Sequence, residues 1–343
     1  MSAHKNRYPT AHYRWDVDKT YIQTDFDSLR SLIRTWRQRA EDKRNIPGAP
    51  ALLRELLHSQ GEDEVTFISG SPQQMRRVLL KKFEMDGISP DNFILKPNLS
   101  NLLKLRLRDV HNQIGYKLRA LFDSRILHRS EYLFGDDSEQ DGLIYSLYGD
   151  LLEGKVAVDE LQEFLSIAGL YRADIERIVS SYIDLEPNQG RVERVFIHLD
   201  RRSPVARFRA YGWRVVPVYN YFQAAIVLFD MGMLGPLALS NILREMQSHH
   251  YGPTRLANSL QDIVRRGYAT RDLALRVCEA LRDMRDGEGR AFQEAFEAAL
   301  MALPQTGEGL ELTPLLPDYR TLFEAERYRR TPMSVSGREW LMD

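Results

Sequence analysis

Residues 12–24 read HYRWDVDKTYIQT. An apolar and aromatic run ends in two aspartates one residue apart, Asp16 and Asp18, followed by Lys19 and Thr20. Tyr13 to Asp18 has strand character, and residues two apart on a strand point the same way, so a continuing strand would aim both carboxylates at one site. Such charges repel unless a divalent cation neutralises them or one holds a proton. Mg²⁺ suits the first arrangement, because it is hard and is usually held by one or two carboxylates with waters and phosphate oxygens. A surface turn is the competing account, since aspartate is common after strands.

Further strand-like runs follow at Val65 to Gly70, Phe93 to Lys96, Tyr132 to Gly135, Val195 to Leu199 and Trp213 to Tyr219. Helix-length segments separate them, among them Ala49 to Ser59, Gln73 to Met85 and Asn112 to Phe122. Short, β-branched, apolar strands alternating with helices predict an α/β fold with a Rossmann-like parallel sheet covered on both faces. Ligands in such sheets bind beyond the carboxyl ends of the strands. That rule brings Asp16/Asp18, Ser69/Ser71 and Asp136/Asp137 to one crevice edge. The domain reading is a core over 1–234 with a helical insertion at about 151–190, a helical C-terminal extension over 235–303 and a loosely ordered tail over 304–343.

The totals bound the function. The chain has 343 residues, 43% hydrophobic and 28% charged, which supports a sizeable core under a soluble surface. A net charge of -1 gives no global field for nucleic acid or an anionic membrane, so either partner needs a local patch. The alternating LKLRLR stretch, with Lys104, Arg106 and Arg108, is one such patch or else an ordinary amphipathic element. The longest apolar run, Ala224 to Leu234, is broken by Asp230 and is too short to span a bilayer. The polar opening MSAHKNRYPT and the single cysteine, Cys278, agree with a cytoplasmic setting.

Three more features bear chemistry. FISGSP, residues 67–72, puts Ser69, Gly70 and Ser71 directly after an apolar strand, where hydroxyls and main-chain N–H groups can cradle an oxyanion or simply cap a helix. GDDSEQD, residues 135–141, crowds Asp136, Asp137, Glu139 and Asp141 after another strand, which suits a hard cation or a solvated acidic loop. Lys117, in the helical IGYKLRALF, can reach a phosphoryl group or lie with its stem on the surface.

In chain order these read strand-DxDxT, strand-S, helix-K, strand-GDxxxxD. That order resembles the haloacid dehalogenase (HAD) superfamily, and more narrowly the catalytic domain of actin-patch-type phosphatidate phosphatases. The narrower likeness rests on DVDKTYIQT, IPGAPALLREL, FISGSPQQMRRVLLKKFEMDGISPDNFILK and GDDSEQDGLIY. It covers roughly residues 10 to 150 well. It departs from the family pattern at Lys19, usually a third aspartate, at Gln73, usually tryptophan, and at Asp137 and Ser138, usually serine and glycine.

The resemblance implies a HAD-like phosphatase, a phosphoric monoester hydrolase, with a small cap. Asp16 would be the nucleophile that forms an aspartyl-phosphate and Asp18 the general acid/base. Mg²⁺ would be held by Asp16, the Asp18 carbonyl and Asp136. Ser69, Gly70 and Lys117 would bind the phosphoryl oxygens, with Thr20, Asp137 and Asp141 in support. The implied substrate is phosphorylated, with phosphatidate or another lipid phosphate foremost and peripheral membrane contact compatible with it. Phosphorylated nucleic-acid ends, a soluble phosphometabolite and a non-catalytic scaffold stay open as alternatives.

Overall fold

Along Ala11–Asp16, the first strand (β1), Ala11, Tyr13 and Trp15 join one buried apolar cluster, while His12, Arg14 and Asp16 alternate with them. This period of two is what a strand with helices on both faces produces. The computed structural model describes residues 10–24, 39–60, 62–96, 109–185, 190–282, 287–303 and 316–330. β1 is joined by β2 (Glu64–Pro72), β3 (Asn92–Lys96), β4 (Arg129–Asp136), β5 (Gly190–His198) and β6 (Val215–Val218). All pair in parallel in the order β3-β2-β1-β4-β5-β6. The order reverses between β1 and β4, so the ligand crevice of this Rossmann-like sheet opens beyond the ends of those two strands.

One rank of side chains fixes the height of that crevice. Phe93, Phe67, Trp15, Phe134, Phe196 and Val216 are successive register partners across the six strands. Trp15 stacks on Phe134 at 4.0 Å, and Phe134 on Phe196 at 5.1 Å. Each such burial stabilises by roughly 1.5–3 kcal/mol. Asp16 is the next residue after this rank.

The helices among the described residues divide between the faces. Helices α1 (Ala49–Gln60) and α2 (Arg76–Met85) cover the aromatic face. Helices α3 (Asp109–Asp123), α4 (Asp141–Leu152), α5 (Val158–Ile167) and α6 (Arg172–Ile183) cover the other. The region read as an insertion thus forms α5 and α6, while α4, which sequence reasoning did not single out, is buried along its whole length. Helix α7 (Tyr221–Asp230) returns to the aromatic face. Residues 235–303 form α8 (Pro236–Ser248), α9 (Pro253–Arg265), α10 (Arg271–Ala280) and α11 (Gly287–Met301). Their buried Leu243, Leu260, Val277 and Phe296 belong to the same apolar cluster as Trp15.

Within the stretch expected to be a loose tail, Tyr319–Arg330 is a helix (α12). It packs on α4 and α5 by burying Tyr319, Phe323 and Glu326. Tyr319 donates to Asp150, and Tyr211 to Glu326 at 3.0 Å. The anchor residues are few and spaced among charges, so composition alone reads as tail. Lys104, Arg106 and Arg108 lie outside the described residues, as do residues 25–38 of the stretch between Tyr21 and Glu64 expected to form the small cap. No helix among the described residues is long and apolar enough to cross a membrane.

Candidate active site

Strand β1 ends at Asp16, and the chain then turns instead of continuing as a strand. Val17 is buried, Asp18 makes an isolated bridge with Ile22, and Lys19 takes a left-handed conformation at φ 62°. Strand alternation therefore does not aim Asp18. A turn does, tied by the Lys19 N–H to the Ile22 carbonyl at 2.8 Å and by the Tyr221 hydroxyl to the Thr20 carbonyl at 2.6 Å. Asp18 Oδ2 accepts from the hydroxyls of Ser69 at 3.0 Å and Ser71 at 2.9 Å, both at the end of β2. The Tyr116 hydroxyl steadies this edge through the Ser69 carbonyl at 2.8 Å. Gly70 faces open space.

Asp16 meets Lys117, which α3 carries over the end of β1. Lys117 Nζ lies 3.0 Å from Asp16 Oδ1 and 2.7 Å from Glu139 Oε2, and it also pairs with Asp141. The carboxylate oxygens of Asp16, Glu139 and Asp141 all lie within 4.8 Å of one another, so this ammonium sits among three acids. Gly135 makes the approach possible, since a Cβ there would stand 2.6 Å from Asp141 Cβ. Asp136 Oδ1 accepts from the Ser138 N–H at 2.5 Å and the Glu139 N–H at 3.2 Å. Thr20 Oγ1 stands 3.4 Å from Oδ2 of both Asp16 and Asp136.

Asp137 turns away from this centre. Its two oxygens accept from the main-chain N–H groups of Arg201 at 2.8 Å and Ser203 at 2.9 Å, anchoring the loop after β5. Sequence reasoning named Asp16, Asp18, Thr20, Ser69, Lys117, Asp136 and Asp141, and the structure gathers all of them at the switch point. It did not assign Glu139 as a Lys117 partner, Ser71 as an Asp18 donor, or the buried Lys43. Ser71 and Glu139 stood inside motifs already noticed, whereas Lys43 had no local signal.

Electrostatics sharpen the picture. Burial raises Asp16 well above the usual carboxylate range, against the pull of Lys117 and with the push of Asp141, Glu139 and Asp136. Asp136 is pushed up to about 8, first by burial and then by the charges of Asp141 and Glu139. Burial also raises Asp18, while its hydrogen bonds from Ser71 and Ser69 and the charge of Lys43 oppose the shift. Carboxylates in such excess over ammonium groups make an oxygen-rich centre short of positive charge, the donor chemistry that a hard divalent cation satisfies.

The family described as "Phosphatidate phosphatase APP1, catalytic domain" matches residues 15–158, well under half of the chain. That family is HAD-like, and the match is confined to this stretch. The matched segment runs from Trp15 through both acidic motifs to the first residue of α5, so it holds every candidate site residue. The chain is a phosphatase, and its substrate is accordingly phosphorylated. No curated protein and no solved structure matches the chain.

Proposed function

We propose that the chain is a Mg²⁺-dependent phosphomonoester hydrolase working through an aspartyl-phosphate on Asp16. The observation that carries this reading is the convergence of Asp16, Asp18, Ser69, Lys117 and Asp136 on one crevice from β1, β2, α3 and β4. Asp16 attacks phosphorus, and the departing alkoxide takes a proton from Asp18. Asp18 suits that task because burial holds its proton at a pH where a free carboxyl would have lost it. The same group then takes the proton of the water that hydrolyses the aspartyl-phosphate. Lys117 favours ionised Asp16 and offers a donor to a phosphoryl oxygen, as do the Ser69 hydroxyl and the main chain at Gly70. Asp141 orients Lys117, and Thr20 steadies Asp16 and Asp136.

Asp16, Asp136 and the Asp18 carbonyl would hold Mg²⁺, which supplies positive charge to the phosphoryl oxygens. Asp137 serves by fixing the neighbouring loop. The family description favours phosphatidate or a related lipid phosphate as substrate; we propose that the chain meets it at a peripheral membrane surface reached from the cytoplasm. Hydrolysis of phenyl phosphate with Mg²⁺ and after its removal by chelation tests the chemistry, and phosphatidate vesicles beside 5′-phosphorylated oligonucleotides test the substrate. Metal-independent turnover would refute the first part, and faster release from the oligonucleotides the second.

A further inference from the structure

The loop that Asp137 anchors forms a basic cleft of about 550 Å³ lined by Arg201, Arg202, Ser203 and Arg207, with Asp137 and Glu326. It adjoins the acidic centre, because Asp136 and Asp137 are consecutive residues with Cα atoms about 3.8 Å apart. Both oxygens of Asp137 are engaged by the Arg201 and Ser203 N–H groups, so its charge is spent on holding the arginines in place. Arg202 is kept at φ 54°, a left-handed conformation uncommon for a residue with a side chain and found where surroundings enforce it, often at ligand sites.

Arg207 donates to Ser203 Oγ at 3.3 Å and pairs with Glu326, while its Nε is buried with no partner. The Arg201 and Arg202 residues are exposed, and among the described residues neither guanidinium makes an ion pair. Arginine forks match phosphate oxygens bidentately, and this cluster lies beside a centre whose own excess is negative.

We propose that this cleft binds a second phosphoryl group of the substrate, so that the preferred phosphomonoester carries another phosphate beyond its scissile ester. The proposal rests on the phosphatase reading above and adds the substrate class. A polyphosphorylated lipid headgroup and a soluble bisphosphate share this chemistry.

The test compares kcat/KM for 1,4-phenylene bisphosphate against phenyl phosphate, and for phosphatidylinositol 4,5-bisphosphate against phosphatidate in phosphatidylcholine vesicles. It uses wild type, the double variant Arg201→Gln/Arg202→Gln, and Arg172→Gln, an exposed control on α6. The wild type and the control should favour the bisphosphate by roughly tenfold or more in at least one pair, and the double variant should lose most of that preference. The pair that responds identifies the source of the second phosphate. An equal ratio in wild type and double variant for both pairs overturns the proposal. Should no phosphomonoester be turned over, the phosphatase reading fails separately, and calorimetric binding of inorganic pyrophosphate then decides. Binding weakened by the double substitution supports the cleft, and binding that is absent or unchanged overturns it.

Discussion

The Lys117 ammonium lies among Asp16, Glu139 and Asp141 with almost no exposure, so removing it would leave the buried Asp16 and Asp141 and the half-buried Glu139 without their cation. Breaking a buried pair in this way costs about 3–5 kcal/mol, and losing a donor aimed at developing charge lowers turnover by about 100-fold or more. Lys117→Met should therefore unfold at markedly lower urea in metal-free buffer and lose phosphatase activity; retention of both would contradict this arrangement. Gly135→Ala tests the site's tightest approach. Its Cβ would meet Asp141 and should cost about 1–3 kcal/mol by urea unfolding, whereas a neutral result would mean that Asp141 can move aside. At this scale the two motifs were legible because each is local: DVDKT and GDDSEQD declare themselves within a few residues. Of the acids around Lys117, the resemblance points to Asp141 alone; Asp16 and Glu139 were not legible as its partners, since the lysine reaches them from a separate helix.

Helix α12 shows how an element can escape sequence reading. Half of Tyr319–Arg330 is charged, yet Tyr319, Phe323 and Glu326 are buried. Phe323→Ala should cost about 3 kcal/mol if that docking contributes to global stability. Thermal melting of the variant checks it, and an unchanged midpoint would leave α12 as a loose appendage. The strands, by contrast, were legible as short apolar runs, and all six expected runs overlap observed strands. Helix α4 was not, because a helix buried on all sides has no polar stripe to reveal its period. The exit from β1 was also misread: the alternation that predicts where Asp16 points stops before Asp18, and the left-handed turn at Lys19 carries no residue type that announces it.

Across the whole molecule, parallel pairing was inferable from the alternation of strands and helices, but the strand order depends on contacts between distant segments. That order sets β1 beside β4 and so brings residues 16 and 136 together. The sheet also buries His12, which meets Thr66 Oγ1 at 2.8 Å and is held neutral, down to about 2, mainly by burial and then by Arg14 and Arg129. A depressed folded value means that stability is complete above the unfolded value near 6.5 and is lost as the pH falls below it. Between pH 7 and 5 this group should remove about 2 kcal/mol, and His12→Gln should remove that part of the slope. Parallel pH profiles for variant and wild type would contradict the assignment. The central claim, that Asp16 takes the phosphoryl group, is tested most directly by rapid acid quench of the Mg²⁺-loaded protein with phenyl phosphate, followed by mass spectrometry of its peptides. The account predicts one phosphoryl group on the peptide containing Asp16 and none on that peptide in Asp16→Asn. Wild-type turnover by Asp16→Asn would contradict it.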